Sequence, residues 1–274
     1  MHYSLGVLFD LLDRDEGEAG FTLRGMEPFT EGCAGQQGLF GQPGAEEQQV
    51  SARDAAIVAG LYSSEGPELS ALPPAGRRLF ELSVNAFDAF AHAWMSELPI
   101  EAETVRFGRK VLVAARREGP EAERAAADRA VSDRGDPDTL TVLQTACKVC
   151  REIDRLRGLL RFNPDNEGVY IARCAPDHFI LPALCEHFTR RFGDTSWIII
   201  DEKRRLRLCR LNGQVPELSG ISPPEFSRPP AAPSAEWEKL WRHYHKTINN
   251  ESRNNPDLQR QFMPNRYRKY LNEL

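Results

Sequence analysis

Four arginines, Arg151, Arg155, Arg157 and Arg161, fall within eleven residues of one helical pattern and the strand that follows it. Arg151 and Arg155 are four apart and share a helical face, and guanidiniums gathered on one face can seat phosphate oxygens. Glu152 and Asp154 lie in the same stretch, and a solvated face of internally paired charges would have the same composition. Further along, Pro176-Asp177-His178 forms a corner with a carboxylate beside an imidazole. Such a pair can move protons when the carboxylate fixes the ring's tautomer, so Glu152, Asp177 and His178 are the candidate catalytic residues. Neighbours in sequence rarely point at one spot, and after Pro176 the alternative is Asp177 as a helix N-cap with His178 in the first turn.

Cys147 and Cys150 make a CxxC pair. On a helix both sulfurs would lie on one side, but zinc needs two further ligands, from Cys174, Cys185 or His187, and a second pair at metal spacing is missing. Buried cysteines acting as small hydrophobes are the competing reading, and no metal or other cofactor is expected. The close triple of cysteines that holds a radical iron–sulfur cluster is absent from the sequence. So are a Gly-rich phosphate loop, a GxSxG elbow and an HExxH helix.

The C-terminal segment interleaves Trp237, Trp241, Tyr244, Tyr267 and Tyr270 with Arg242, His243, His245, Lys246, Arg253, Arg260, Arg266, Arg268 and Lys269. Aromatic faces for bases beside cations for phosphates compose a nucleic-acid surface. Against this, Trp237, Leu240, Trp241, Tyr244 and Ile248 fall on one helical stripe of the kind that is buried in a core. The nucleic-acid-binding candidates are Arg151, Arg155, Arg161, Arg191, Trp241, Tyr244, His245 and Arg253.

The elements that must position these residues can be read from periodicity. A short apolar helix spans Leu5 to Leu12, and a stretch rich in Gly, Gln and Glu from Cys33 to Gln49 reads as loop or disorder. Helical spacing begins near Ser51 and runs, interrupted at Leu72-Pro73-Pro74, to about Ala130. Asp136 and Pro137 suit the N-cap and first residue of a helix ending near Gly158, with Leu140, Leu143, Cys147, Cys150, Ile153 and Leu156 as its apolar stripe. Leu159 to Phe162 and Val169 to Cys174 read as a hairpin, followed by a helix from about His178 to Phe192 closed by Gly193. Trp197 to Ile200 and Leu206 to Leu211 make a second hairpin across the charged turn Asp201 to Arg205.

This order favours an α+β fold: an N-terminal helical region, then helix-hairpin-helix-hairpin forming an antiparallel sheet with helices on one face, then a C-terminal helical segment. The expected divisions are a helix and irregular loop over 1–50 and one α+β domain over 51–222, helical to 135 and sheet-containing from 136. A linker over 223–233, with five prolines in eleven residues, precedes C-terminal helices over 234–274 that pack on the domain.

At 274 residues and 41% hydrophobic content, the chain can bury a sizeable core. Its apolar runs are too short for a membrane span or a secretory signal, so cytoplasm is the expected compartment and a membrane is not an expected partner. Six cysteines in a chain of this length read as reduced thiols. The net charge of −5 is uneven: 13 Lys+Arg against 22 Asp+Glu in residues 1–135, and 22 against 18 in 136–274. The second half is therefore the one to meet an anion.

A pattern through that half resembles a known family. It comprises Val149, Glu152, Ile153, Arg155 and Gly158 leading into Arg161-Phe162, then Val169-Tyr170, Pro176-Asp177-His178, His187-Phe188, Arg191-Phe192, Trp197 and Ile199. It continues with Trp237, Leu240-Trp241, Tyr244, Ile248, Arg253, Asn255-Pro256, Met263-Pro264, Tyr267, Leu271 and Glu273. These residues resemble an uncharacterised bacterial family described as a probable DNA metabolism protein. Its central domain also occurs fused ahead of uracil-DNA glycosylase-like domains, and its stand-alone form is encoded beside a radical SAM protein. The resemblance covers roughly residues 90 to 274, with a weaker echo at Gly38-Leu39-Phe40 and in the helix around Ala55 to Leu61. It departs at Asp154, where the family often has a histidine, and at Met1 to Ser4, where an opening strand looks shortened.

The resemblance implies an accessory or nucleic-acid-binding protein in DNA modification or repair, with DNA or another nucleic acid and a radical SAM protein as partners. The motifs of the fused glycosylase domain are absent, so base excision by this chain is not implied. Two other readings stand beside it: an enzyme acting on nucleic acid at an Arg/Asp/His pocket, and a protein–protein adaptor without direct DNA contact.

Overall fold

The computed structural model describes residues 4–12, 54–64, 66–119, 121–221, 235–248, 250, 255, 257–258 and 263–270, with backbone alone at 71, 235–238, 241 and 245. It is α+β, helical at both ends with a five-stranded sheet between them. The chain divides into two compact units: residues 1–151 with 178–180, and residues 152–177 with 181–274.

The first unit is helical. It contains α1 (Leu5–Leu12), α2 (54–61), α3 (Pro74–Leu82), α4 (Val84–Met95), α5 (Glu101–Arg116), α6 (Glu123–Ser132) and most of α7 (Pro137–Leu159). Helix α1 is short and apolar on nearly every side, so it is stable only when enclosed. Leu5, Leu8, Phe9, Leu11 and Leu12 are all buried. Phe9 stacks between Phe87 and Phe90 of α4, with ring centroids 5.3 and 4.8 Å away. Gly76 makes that approach possible, since a Cβ there would lie 2.8 Å from the Phe9 ring. Asp54 accepts from Leu5 N and Gly6 N, both at 3.3 Å, and so serves donors that the first turn of α1 leaves unpaired.

Helix α7 begins as its sequence dictates. Asp136 Oδ2 accepts from Thr139 N at 2.8 Å and from Thr139 Oγ1 at 2.7 Å, an N-cap with proline at the first helical position. The expected apolar stripe is rotated. The buried positions are Thr139, Val142, Thr145, Ala146, Val149, Glu152, Ile153 and Leu156, while Leu140 and Leu143 are half-buried and Cys147 is exposed. A 23-residue helix with apolar residues around much of its circumference offers two stripes of similar length, and tertiary packing chose the one containing Val142 and Val149.

The second unit holds the sheet, in the order β1 (Asn163–Pro164), β2 (Tyr170–Cys174), β3 (Trp197–Asp201), β4 (Leu206–Arg210), β5 (Glu217–Gly220). Strand β1 pairs with β2, β3 with β4 and β4 with β5 antiparallel. The β3–β4 hairpin is the one expected, whereas the leading strand of the first hairpin is Asn163–Pro164 and not Leu159 to Phe162, because α7 runs on to Leu159, and β5 is an addition to the expected strands. The β2–β3 pair is parallel, with Tyr170 opposite Trp197 and Cys174 opposite Asp201. The reason is α8 (Leu181–Phe192), which carries the chain back before β3 begins, the crossover that parallel neighbours need. Helix α8 starts at Leu181 rather than His178, and Gly193 closes it at φ +55°. The second unit also contains α9 (Ala235–Ile248) and the single turn α10 (Asn265–Arg268).

Candidate functional site

Glu152 is the most unusual residue of the second unit, a carboxylate only 2% exposed on the buried side of α7. A carboxylate is buried at this depth only when charge and hydrogen bonds replace its water. Its Oε1 accepts from Asp177 N at 2.9 Å, from Arg266 Nη2 at 3.1 Å and from the Tyr267 hydroxyl. Arg266 Nη2 also donates to the Tyr267 hydroxyl at 3.0 Å, and its Nη1 pairs with the Asp177 carboxylate. Burial, reinforced by the hydrogen bond to Glu152, pushes the Tyr267 phenol well above its ordinary range, so it stays a neutral donor.

A second carboxylate group continues the network. Asp201, fully buried at the end of β3, pairs with Arg204 Nη1 at 2.7 Å and accepts from Lys203 N and Arg204 N. Burial raises its pKa against the pull of Arg204. Arg204 and Lys203 reach onward to the Asp177 carbonyl at 2.9 and 2.8 Å. Beside them Glu202 accepts from Tyr270 at 2.6 Å and from Lys269 at 3.2 Å. Burial opposes its ionisation, but the bonds from Tyr270 and Lys269 outweigh that and its pKa is lowered. The cations here are matched by four carboxylates, so this is a closed network that docks residues 265–270, not an open anion seat.

Three residues of the family-like pattern, Glu152, Asp177 and Tyr267, thus meet although the first and last are 115 positions apart. The Nδ1 of His178 bonds the Ser96 carbonyl at 2.8 Å within the first unit. With α8 starting at Leu181, neither Asp177 nor His178 lies in its first turn.

The cationic candidates occupy different settings. Lys148 and Arg151 are exposed and Arg155 half-exposed at three- and four-residue steps, so they form one stripe on the outer face of α7. None of the three is ion-paired with a described residue. Arg161 is half-buried and donates to the Gly158 carbonyl at 2.8 Å, completing the C-terminal end of α7. Arg157 pairs with Asp154 at 3.3 Å. Arg191 is exposed on α8, and it and Arg157 add to burial in lowering the pKa of His187, which marks a local excess of positive charge.

In α9, Tyr244 is 51% exposed, with Leu240 and Ile248 exposed on the same face. The core reading of that stripe does not hold for these three. The side chains of Trp241 and His245, and Arg253 altogether, lie outside the described residues. Tyr267, by contrast, is 2% exposed and its ring is closed to a nucleobase. Among the described residues no group of three or more His, Cys, Asp or Glu could hold a metal ion, and no helix is long and apolar enough to cross a membrane.

Sequence reasoning missed Lys203 and Arg204 as partners of the Pro176–Asp177 corner and Asp201 as the anion that holds Arg204, and it missed His92. For His92 a signal existed: a lone histidine in an apolar helix, four residues after Asp88.

No curated protein and no solved structure matches the chain. A family model does match, over residues 121–273, which span α7, the whole sheet and the docked C-terminal turn. The chain belongs to the family described as DUF4130, a domain of unknown function.

Proposed function

We propose that this protein is a nucleic-acid-binding accessory factor in DNA modification or repair, working with a radical SAM partner that supplies the chemistry. The observation that carries the reading is the outer stripe of α7, where Lys148, Arg151 and Arg155 stand without an acidic partner among the described residues. Cations that stabilise a fold are compensated, as Arg204 and Arg266 are here. An uncompensated row on a rigid helix instead retains its attraction for phosphates. The excess of base in residues 136–274 and the family resemblance favour the same reading.

Binding of labelled single-stranded and duplex DNA at low salt, followed by fluorescence anisotropy, tests it. The triple variant Lys148→Ala, Arg151→Ala, Arg155→Ala should bind at least about tenfold more weakly, each lost phosphate contact contributing on the order of 0.5–1 kcal/mol. Equal binding by variant and wild type would refute the α7 surface. Capture of the radical SAM partner with and without nuclease then separates an adaptor from a DNA-bridged complex.

A further inference from the structure

Within the second unit, α10 and the two residues after it carry a repeated pattern. Arg266-Tyr267 and Lys269-Tyr270 are cation–tyrosine dipeptides set three residues apart. In each, the cation lies over the ring of the tyrosine that follows it, Arg266 Cζ at 4.8 Å and Lys269 Nζ at 4.5 Å from the ring centroid. In each, cation and hydroxyl close on one carboxylate oxygen. Arg266 and the Tyr267 hydroxyl donate to Glu152 Oε1, and Lys269 and the Tyr270 hydroxyl donate to Glu202 Oε2. The receiving seat is built by other elements of the unit. Glu152 comes from α7 and also accepts from Asp177 N at 2.9 Å, while Glu202 follows β3 and also pairs with Arg173 of β2 at 3.6 Å.

A turn of four residues is too short to hold its own conformation, so the seat orders the turn. The turn is separated from Ile221 by residues 222–264. Its docking is therefore the binding of a short peptide at an effective concentration on the order of 1 mM, set by the tether. We propose that Glu152, Asp177 and Glu202 form an exchangeable peptide-binding site, selective for a segment carrying two cation–tyrosine dipeptides three residues apart, with the C-terminal turn as its resident ligand. Selectivity follows from the geometry. A phenylalanine would leave each carboxylate short of a donor, which is costly at the buried Glu152, and an acidic segment would be repelled from all three.

The probe is a fluorescein-labelled peptide of residues 263–274, added to the full-length chain and followed by anisotropy. A chain with Tyr267→Ala and Tyr270→Ala, its own turn disabled, should bind the probe at least about tenfold more tightly than the wild type, whose resident turn competes. Tyr267→Phe and Tyr270→Phe placed in the peptide should weaken binding to the disabled chain at least about tenfold. Adding Glu202→Gln to that chain should weaken it several-fold. Should the double alanine variant fail to fold by circular dichroism, Lys269→Ala with Tyr270→Ala takes its place. That pair leaves Tyr267 intact, and the chain should bind the probe at least about threefold more tightly than the wild type. No binding by a folded turn variant, equal affinity of wild type and turn variant, or equal affinity for the peptide lacking both hydroxyls overturns the proposal.

Discussion

Glu152 shows how a residue can be legible in type and illegible in role. Its place beside arginines on a helix invites a catalytic or surface reading, because sequence spacing reveals neighbours three and four apart but not Arg266 and Tyr267 at distances of 114 and 115 residues. In the structure it is the anion on which the C-terminal turn is fastened. Tyr267→Phe removes one hydrogen bond to a buried charge and should destabilise the protein by about 1–2 kcal/mol. Glu152→Gln discharges the acceptor of three bonds and should cost about 2–4 kcal/mol. Urea denaturation measures both, and changes within about 0.5 kcal/mol of zero would show that the network contributes nothing to folding. His92 supplies a pH signature of its own. Its folded pKa, about 10, lies above the ordinary 6.5, so its stabilisation is complete below about 6.5 and is lost as pH rises toward 10. Asp88→Asn removes part of the cause and should narrow the stability difference between pH 6.5 and pH 10; an unchanged difference would contradict the ion pair.

Elements were read from the sequence where local chemistry decides them. The Asp136-Pro137 start of α7 and the glycine that ends α8 are local signals, and the structure uses both. Asp136→Ala should lower stability by about 1 kcal/mol through loss of the cap, measured as a shift in the urea midpoint at constant slope. Gly193→Ala should cost about 1–2 kcal/mol for a different reason. A Cβ there meets nothing within 4 Å, so only the positive φ resists it. Illegible elements were those fixed by distant partners. Strand β5 has the residues Glu-Leu-Ser-Gly, with no β signal of its own, and exists because β4 offers an edge. The parallel pairing of β2 with β3 could not be seen in either strand, since it follows from the path of α8. The face of α7 was misjudged because its apolar residues satisfy two stripes, and that rotation turned Cys147 outward and left Lys148, Arg151 and Arg155 on the outer side.

Across the whole molecule, charge and sequence pattern coincide. The residues matched by the family model, 121–273, include nearly all of the half in which base exceeds acid, whereas the helical region before it carries the acidic excess. Much of that base is consumed internally by Glu152, Asp177, Asp201 and Glu202. Among the described residues, α7 keeps a row of cations that no acidic side chain compensates, and Arg191 adds positive charge beside His187, a distinction composition alone could not make. The salt dependence of DNA binding tests this most directly, because the slope of log affinity against log salt counts phosphate contacts whatever the DNA sequence. The wild-type chain should show a steep negative slope, and the Lys148, Arg151, Arg155 triple alanine variant a slope shallower by about 2–3. An identical slope for the two, or no binding by the wild type at low salt, would contradict a nucleic-acid surface on α7.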